Sequence, residues 1–186
     1  TIDLNGHVLT IPKSICVNSR AHLTIIDSNP SAEHKFTPNA DGLWVLDETN
    51  GTETVYGGVI TGGTGYPIQF GSGAHAYTAY YGGAVYIEPG GTLNMGGGSI
   101  VGCKAEGDIA YGGGVFVAKG GHFTMTGGSI AGCTAVAQGY GYAFGGGIRN
   151  HGDVNDSNVG HTTLSGAAVI RDCHAKGGFL LYGGGI

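Results

Sequence analysis

The tyrosines beside two glycine-rich runs are the residues of this 186-residue chain best suited to binding a ligand. Tyr77 and Tyr80 precede one run, and Tyr140 and Tyr142 precede another, so we expect the four rings to meet at one edge of the fold. Exposed aromatic rings with polar neighbours bind the faces of sugars or anchor partner proteins. The alternative is that both segments pack their own rings against the body of the protein. We predict these four tyrosines as the ligand-binding residues.

Acidic and histidine side chains do not form a recognisable catalytic or metal-binding set. Asp41, Asp47 and Glu48 are close in sequence, and a solvated loop explains them. Residues 153–158 (DVNDSN) alternate oxygen-bearing side chains as calcium loops do, but they lack the glycine and the bidentate glutamate of such loops. We interpret them as a polar turn. The eight histidines show no His-x-His spacing. The sequence therefore predicts no catalytic residue, no metal and no cofactor.

A repeat over residues 81–186 must position these side chains. The segment YGGAVYI at 81–87 recurs as YGGGVFV at 111–117 and FGGGIRN at 144–150, and it begins again as YGGGI at 182–186. The steps between these starts are 30, 33 and 38 residues. The second half of the unit, residues 92–103, matches 122–133, and both match 162–173 with one extra residue before Ile170. A period in this range is typical of solenoids and propellers.

Each repeat is composed of short β-strands. Val85 and Ile87 flank Tyr86, and Leu93 and Met95 flank Asn94; this alternation predicts strands, and no helical spacing accompanies it. Glycine pairs separate the strands, where the chain must turn. Three short strands and three corners fit into about 30 residues, so one repeat is predicted to form one turn of a parallel β-helix. Propeller blades need about 40 residues and four antiparallel strands, which makes the β-helix the preferred interpretation.

Stacking such repeats roughly 4.8 Å apart turns every repeat position into a column of side chains. One of these columns is aromatic, and its rings are expected to stack on one another at a corner of the coil. The cysteines of the second column are expected to be free and buried, because stacked side chains point the same way. Three such columns are predicted: Tyr81, Tyr111, Phe144 and Tyr182; Cys103, Cys133 and Cys173; and Ile100, Ile130 and Ile170.

The whole chain is predicted to be one domain of about five to six coils, with irregular coils and loop insertions in residues 1–80 and regular repeats in 81–186. Residues 15–17 fill the position of 85–87 in a degenerate first coil, which turns Cys16 outward. Residues 29–41 are predicted to be a projecting loop, and 43–46 together with 55–63 a second coil. Segments 66–80, 135–143 and 150–161 are insertions. Because the chain ends inside a repeat, we interpret it as part of a longer protein.

These repeats resemble the right-handed parallel β-helix repeats of large bacterial surface proteins. The likeness is carried by LNGHVL at 4–9, HLTIID at 22–27, GGGVFV at 112–117 and MTGGSIAGCTA at 125–135, and it covers nearly the whole chain. Proteins with such repeats belong to the pectin-lyase-like superfamily and include adhesins and chlamydial polymorphic outer-membrane proteins. The resemblance implies an all-β, right-handed solenoid that is extracellular on a bacterial cell surface. Cysteine stands here where many such repeats have asparagine.

Two functions follow from the sequence. The first is a non-catalytic module of a cell-surface protein that binds host or microbial glycans or surface proteins, or acts as a scaffold. The second is a polysaccharide lyase or hydrolase with catalytic residues partly outside this chain. Enzymes of the superfamily group carboxylates on adjacent coils, whereas here Glu106 stacks with Val136 and Lys176. No column offers the paired carboxylates of glycoside hydrolysis.

Charge and hydropathy limit the partners. The formal net charge is −5 and no basic run occurs, which argues against nucleic acid as a partner. No apolar stretch approaches the roughly 20 residues that a membrane-spanning helix needs, so no membrane insertion by this segment is expected. Charged residues make up 11% of the chain, against roughly 25% in typical soluble domains. Low charge combined with 40 glycines fits stacked strands that approach closely.

Overall fold

The computed structural model describes residues 1–152 and 158–186, and within them the chain is all-β. The described part contains no α-helix, only a 3-10 turn at Gly73–His75, and no helix in it is long and apolar enough to cross a membrane. The strands are, in chain order, β1 (Ile2–Asp3), β2 (Val8–Thr10), β3 (Ile15–Val17), β4 (His22–Ile26), β5 (Glu33–Pro38), β6 (Trp44–Leu46), β7 (Glu53–Tyr56), β8 (Val59–Thr61), β9 (Tyr66–Phe70), β10 (Tyr77–Tyr81), β11 (Val85–Ile87), β12 (Thr92–Met95), β13 (Ser99–Val101), β14 (Lys104–Tyr111), β15 (Val115–Val117), β16 (His122–Met125), β17 (Ser129–Ala131), β18 (Thr134–Phe144), β19 (Ile148–Asn150), β20 (His161–Leu164), β21 (Val169–Arg171), β22 (His174–Gly177) and β23 (Leu180–Tyr182).

Each regular strand pairs with its counterpart in the next repeat. The pairs are parallel throughout the sheets that contain β12 (sheet A), β13 (sheet B) and β11 (sheet C), and none of these three sheets closes on itself. Sheet E, which contains β14, is parallel except for its edge strand β9, which runs antiparallel to β10. Sheet A contains β1, β4, β12, β16 and β20; sheet B contains β2, β8, β13, β17 and β21; sheet C contains β3, β11, β15 and β19; and sheet E contains β9, β10, β14, β18, β22 and β23.

The register confirms the predicted columns. Ile100 pairs with Ile130, and Ile130 with Ile170. Tyr81 pairs with Tyr111, whose partner in turn is Phe144. Residues 15–17 pair with 85–87 as predicted, so Cys16 lies beside Tyr86. One detail of the sequence alignment is wrong by a residue: His122 pairs with His161 and not with Thr162, and the extra residue lies in the turn between β20 and β21.

A repeat contains four strands, where the sequence predicted three. The additional strand belongs to sheet E, and β14 is its clearest example. Its buried positions carry Ala105, Gly107 and Ala110, which are small, while Glu106 is only partly covered. Alternation between small and polar residues gives a weak strand signal, because sequence periodicity is read from large apolar side chains. The fourth strand was therefore hidden by its small residues.

The main core lies between sheets A, B and C. Leu93 and Phe123 of sheet A, Ile100 and Ile130 of sheet B, and Val115 of sheet C are almost completely buried there. These residues occupy alternate positions on their strands, so each strand sends one face inward. Burial of a large apolar side chain is worth about 1.5–3 kcal/mol, which makes this shared interior the main source of stability.

The Tyr-Gly-Gly motif repeats because the backbone requires it. The first glycine turns through positive φ, +67° at Gly112, where a Cβ would lie 2.2 Å from the carbonyl oxygen of Val115. The second glycine passes close to the next repeat. A Cβ on Gly83 would lie 1.8 Å from the Gly113 oxygen, and a Cβ on Gly113 would lie 2.2 Å from the Gly146 oxygen. Side chains at these positions would force the repeats apart.

Residues 33–56 form a separate antiparallel sheet, sheet D, of β5, β6 and β7. This corrects two predictions: residues 29–41 are not only a loop, because they contain β5, and residues 43–46 are not part of a coil. Only residues 59–61 of the predicted second coil enter sheet B. Sheet D covers the outer face of sheet B, where Phe36, Trp44 and Val55 pack on Val59, Val101 and Ala131.

The cysteine column is buried and reduced, as predicted. Cys103, Cys133 and Cys173 are free and buried, whereas Cys16 is half-buried on the outer face of sheet C. Burial raises the pKa of Cys133, and a hydrogen bond with Cys133 followed by burial raises the pKa of Cys173. Burial and then the Glu88 carboxylate raise the pKa of Cys16 to about 11. Thiolates of these three cysteines are thus scarce at neutral pH, and these side chains should react slowly with thiol reagents.

We predict that a chromogenic disulfide reagent at pH 8 labels Cys16 first, and slowly. Its rate should rise as pH approaches 11, since the reactive thiolate forms in that range. The three column cysteines should react only after denaturation in guanidinium, because they are buried in the folded protein. Mass spectrometry of the labelled peptides distinguishes the sites. Fast labelling of the column cysteines in the folded protein would show that they face outward.

A candidate ligand-binding groove

Two departures from the repeat meet on the outer face of sheet E. The first is the hairpin of β9 and β10, which pair antiparallel. The second is a shift of register between β14 and β18: Gly107 pairs with Ala137, but Ile109 pairs with Tyr142. Residues 138–141 of β18 therefore face only Asp108 of β14. Stacking of the repeats requires neither feature, and bulges of this kind are frequent beside functional sites.

A groove lies where these two features converge. This open groove has a volume of about 540 Å³, within the ~300–1,000 Å³ typical of small-molecule sites. The hairpin contributes one wall, the 138–142 segment the other, and β14 the floor. The lining residues are Tyr77, Asp108, Ile109, Gln138, Gly139, Tyr140, Gly141 and Tyr142.

Three of the four predicted tyrosines line this groove. Tyr77 stacks on Phe70, with ring centroids 5.2 Å apart and an angle of 15° between the planes. Tyr142 stacks on Phe144 at 6.3 Å. Tyr77 and Tyr142 remain 40% and 37% exposed, and Tyr140 is 91% exposed. The three rings thus present apolar surface to solvent at one place, which is uncommon on a protein with no use for it.

Tyr80 does not line the groove. It lies on the opposite face of β10 from Tyr77 and packs, half-buried, on the cluster of small residues that includes Ala105, Ala110 and Ala143. A Cβ on Gly107 would lie 2.4 Å from Cδ2 of Tyr80, so the ring rests directly on that glycine. Tyr80 therefore packs against the body of the protein, which was the alternative considered for all four tyrosines.

Substitutions should separate these two roles. Tyr80→Ala should lower the free energy of unfolding by about 2 kcal/mol, because it removes a half-buried ring from its packing. Tyr140→Ala should change it by less than about 0.5 kcal/mol, since its ring makes little contact with the protein. Thermal unfolding followed by circular dichroism measures both, with a difference of about 5 °C expected. Equal melting temperatures would contradict the packing assigned to Tyr80.

The polar groups of the groove are acidic or neutral. Asp108 accepts a hydrogen bond from the Thr78 backbone N–H at 2.8 Å through one carboxylate oxygen, and this contact fixes the hairpin to β14. The Gln138 side-chain amide donates to Glu106 at 3.5 Å. Glu106 also pairs with Lys104, and this hydrogen bond lowers the pKa of Glu106. The lysine charge is thereby directed to Glu106 and not into the groove.

A ladder of stacked aromatic rings borders the groove. Tyr81 stacks on Tyr111 at 5.0 Å, Tyr111 on Phe144 at 5.1 Å, and Phe144 on Tyr182 at 5.2 Å. Burial raises the pKa of both Tyr81 and Tyr111 above that of a free tyrosine. These hydroxyls stay neutral, and the column has the packing role that the sequence predicted.

Sequence reasoning missed Asp108, Ile109 and Gln138 as lining residues. A signal for them existed in the repeat lengths, because the step from Tyr111 to Phe144 is three residues longer than the step before it. Those extra residues are the ones that raise the wall of the groove beside Asp108. The irregular step therefore marks the site more directly than the tyrosines do.

Other candidate positions have structural explanations. Asp47 accepts from the backbone N–H of Asn50 at 2.9 Å and so closes a turn. Glu48 contacts His34 at 2.8 Å and accepts from the Lys35 N–H at 3.1 Å. Throughout residues 1–152 and 158–186, no group of three or more His, Cys, Asp or Glu side chains could hold a metal ion. Residues 153–157 of the segment interpreted as a polar turn lie outside the described residues.

Comparison of this chain with models of protein families, with curated proteins and with solved structures found no significant match.

Proposed function

We propose that this chain is a right-handed parallel β-helix module of a bacterial cell-surface protein, and that it binds its ligand without catalysis in the groove of sheet E. Parallel pairing of every core strand with its counterpart one repeat later supports the β-helix. The resemblance of the repeats to those of surface proteins supports the extracellular location. The proposed ligands are glycans or proteins of a host or of microbes.

The observation that carries the binding role is the convergence of two insertions at Asp108. A hairpin and a lengthened strand interrupt an otherwise regular stack, and together they expose Tyr77, Tyr140 and Tyr142. Local departures from a regular fold mark functional sites more often than chance, because regular packing does not select for them.

Binding to an immobilised panel of oligosaccharides and extracellular proteins tests this role. The double variant Tyr140→Ala, Tyr142→Ala should lose most of the signal of the parent, because it removes two exposed rings from one wall of the groove. Tyr56→Ala is the matched control: Tyr56 is exposed on sheet D, away from the groove. If both variants bind as the parent does, the groove is not the binding site.

The second candidate, a polysaccharide lyase or hydrolase, is favoured by one observation. Asp108 is an exposed carboxylate inside a groove lined by aromatic rings. A glycosidase needs a second carboxylate about 5–9.5 Å away, and the neighbouring Glu106 is already engaged by Lys104 and Gln138. Release of reducing ends or unsaturated products from polysaccharides that Asp108→Asn abolishes would establish this alternative.

A further inference from the structure

We infer that the groove selects uncharged oligosaccharides over acidic ones, with Asp108 as the residue that discriminates. The inference rests on the proposed binding role of the groove and specifies its ligand. Three properties of the groove carry it: its charge, its shape and the types of groups that face it.

The charge around the groove disfavours anions. None of the described lining residues is basic, and the carboxylate of Asp108 is among them. Glu106 contacts Gln138 at the rim, but it is paired with Lys104, so these two side chains together add no net charge there. The nearby lysines are directed elsewhere: Lys104 pairs with Glu106, and Lys176 reaches the carbonyl oxygen of Ala40. A uronic or sialic acid would therefore meet the Asp108 carboxylate with no cation among the described lining residues to compensate its charge.

The shape of the groove suits a sugar chain better than a protein. A stable protein interface buries about 800 Å² on each partner and is usually flat. This site is a concave groove of about 540 Å³ between two short walls. Tyr77 and Tyr142 present ring surface to it while their other contacts hold them in place. Such fixed rings can cover the apolar C–H face of a pyranose without losing conformational entropy on binding.

Hydrogen-bonding groups complete the recognition of hydroxyls. Asp108 uses one oxygen for the Thr78 N–H, and as an exposed residue it can accept further bonds from a ligand. Gln138 offers both an amide donor and an acceptor beside it. A few polar groups among apolar walls is the usual composition of a small-molecule site. Vicinal hydroxyls of a neutral sugar supply the donors that a carboxylate needs.

The test uses pairs of probes that differ only in charge. Neutral gluco-, galacto-, manno- and N-acetylglucosamine oligosaccharides are each compared with the counterpart oxidised to a carboxylate at C6, by titration calorimetry at low and high salt. At least one neutral member should bind about tenfold more tightly than its acidic form. The difference should shrink at high salt, because mobile ions screen exposed charges.

Variants connect the preference to the residues. Asp108→Asn keeps an oxygen for the Thr78 N–H and removes the charge, so it should reduce the preference to about threefold or less. Tyr142→Ala should weaken binding of the neutral probe about tenfold, and Tyr56→Ala should leave it unchanged. Tighter binding of acidic probes that is lost in Tyr142→Ala would overturn the inference while leaving the binding role intact. Binding unaffected by Tyr142→Ala, or no binding of any sugar or protein probe, would overturn both.

Discussion

Gly113→Ala is expected to lower the free energy of unfolding by about 3 kcal/mol or more, or to prevent folding. A Cβ at this position would lie 2.2 Å from the Gly146 carbonyl oxygen and 2.4 Å from the carbonyl carbon of Thr134. Both obstacles are backbone atoms, Gly146 in the next repeat and Thr134 in the same one, so no side-chain rotation relieves the clash. Urea denaturation followed by circular dichroism measures the change.

Gly96→Ala is the matched control for this substitution. Gly96 lies in the preceding glycine-rich repeat, but a Cβ there would meet its nearest atoms at 3.9–4.0 Å, ordinary contact distances. Its effect should stay within about 0.5 kcal/mol. If Gly113→Ala is as stable as Gly96→Ala, the repeats cannot be stacked as closely as described.

Trp44→Ala should lower the free energy of unfolding by about 3–5 kcal/mol, because it removes the largest side chain between sheet D and sheet B. Trp44 is only 3% exposed, and Arg171 lies over its ring at 4.5 Å from the centroid. Its ring also fills the space above Gly132, where a Cβ would lie 2.0 Å from Cγ. The loss therefore combines apolar burial with a cation–π contact.

The adjacent Val45→Ala provides the comparison for Trp44→Ala. Val45 belongs to the same strand but is 48% exposed, so its truncation should change the melting temperature little. Differential scanning calorimetry of both variants measures the effect on the whole protein. Similar melting temperatures for the two would mean that sheet D contributes nothing to the stability of the stack.

The sequence predicted the parts of the fold in which large side chains repeat. The Tyr81 and Cys103 columns followed from equal spacing, because stacked parallel strands place equal positions side by side. Sheet D occurs once, so no repeat revealed it, and its strands lay in a stretch interrupted by Pro30 and Pro38. The fourth strand of the repeat was hidden by its alanines and glycines.

The candidate site was predicted in part, and spacing explains where the prediction was incomplete. Tyr140 and Tyr142 are two residues apart and reach the same groove, whereas Tyr77 and Tyr80 are three apart and point to opposite faces of β10. Alternation along a strand dictates this difference. The hairpin itself is a local pairing, but Tyr77 comes near Tyr142 only because β10 and β18 both pair with β14, and these pairs join residues about 30 positions apart.

Sheet D has a consequence for how the protein would respond to mechanical force. Pulling on the last repeat would open its backbone hydrogen bonds one after another, as in unzipping, and unzipping needs little force. Arg171 of that repeat, however, is joined to Glu53 and to the carbonyl oxygen of Thr54, 117 positions earlier in the chain. Together with the stack of Arg171 on the buried Trp44 ring, these contacts link the last complete repeat to sheet D. The last complete repeat is expected to resist tension until the contacts of Arg171 with sheet D break, and then to extend abruptly.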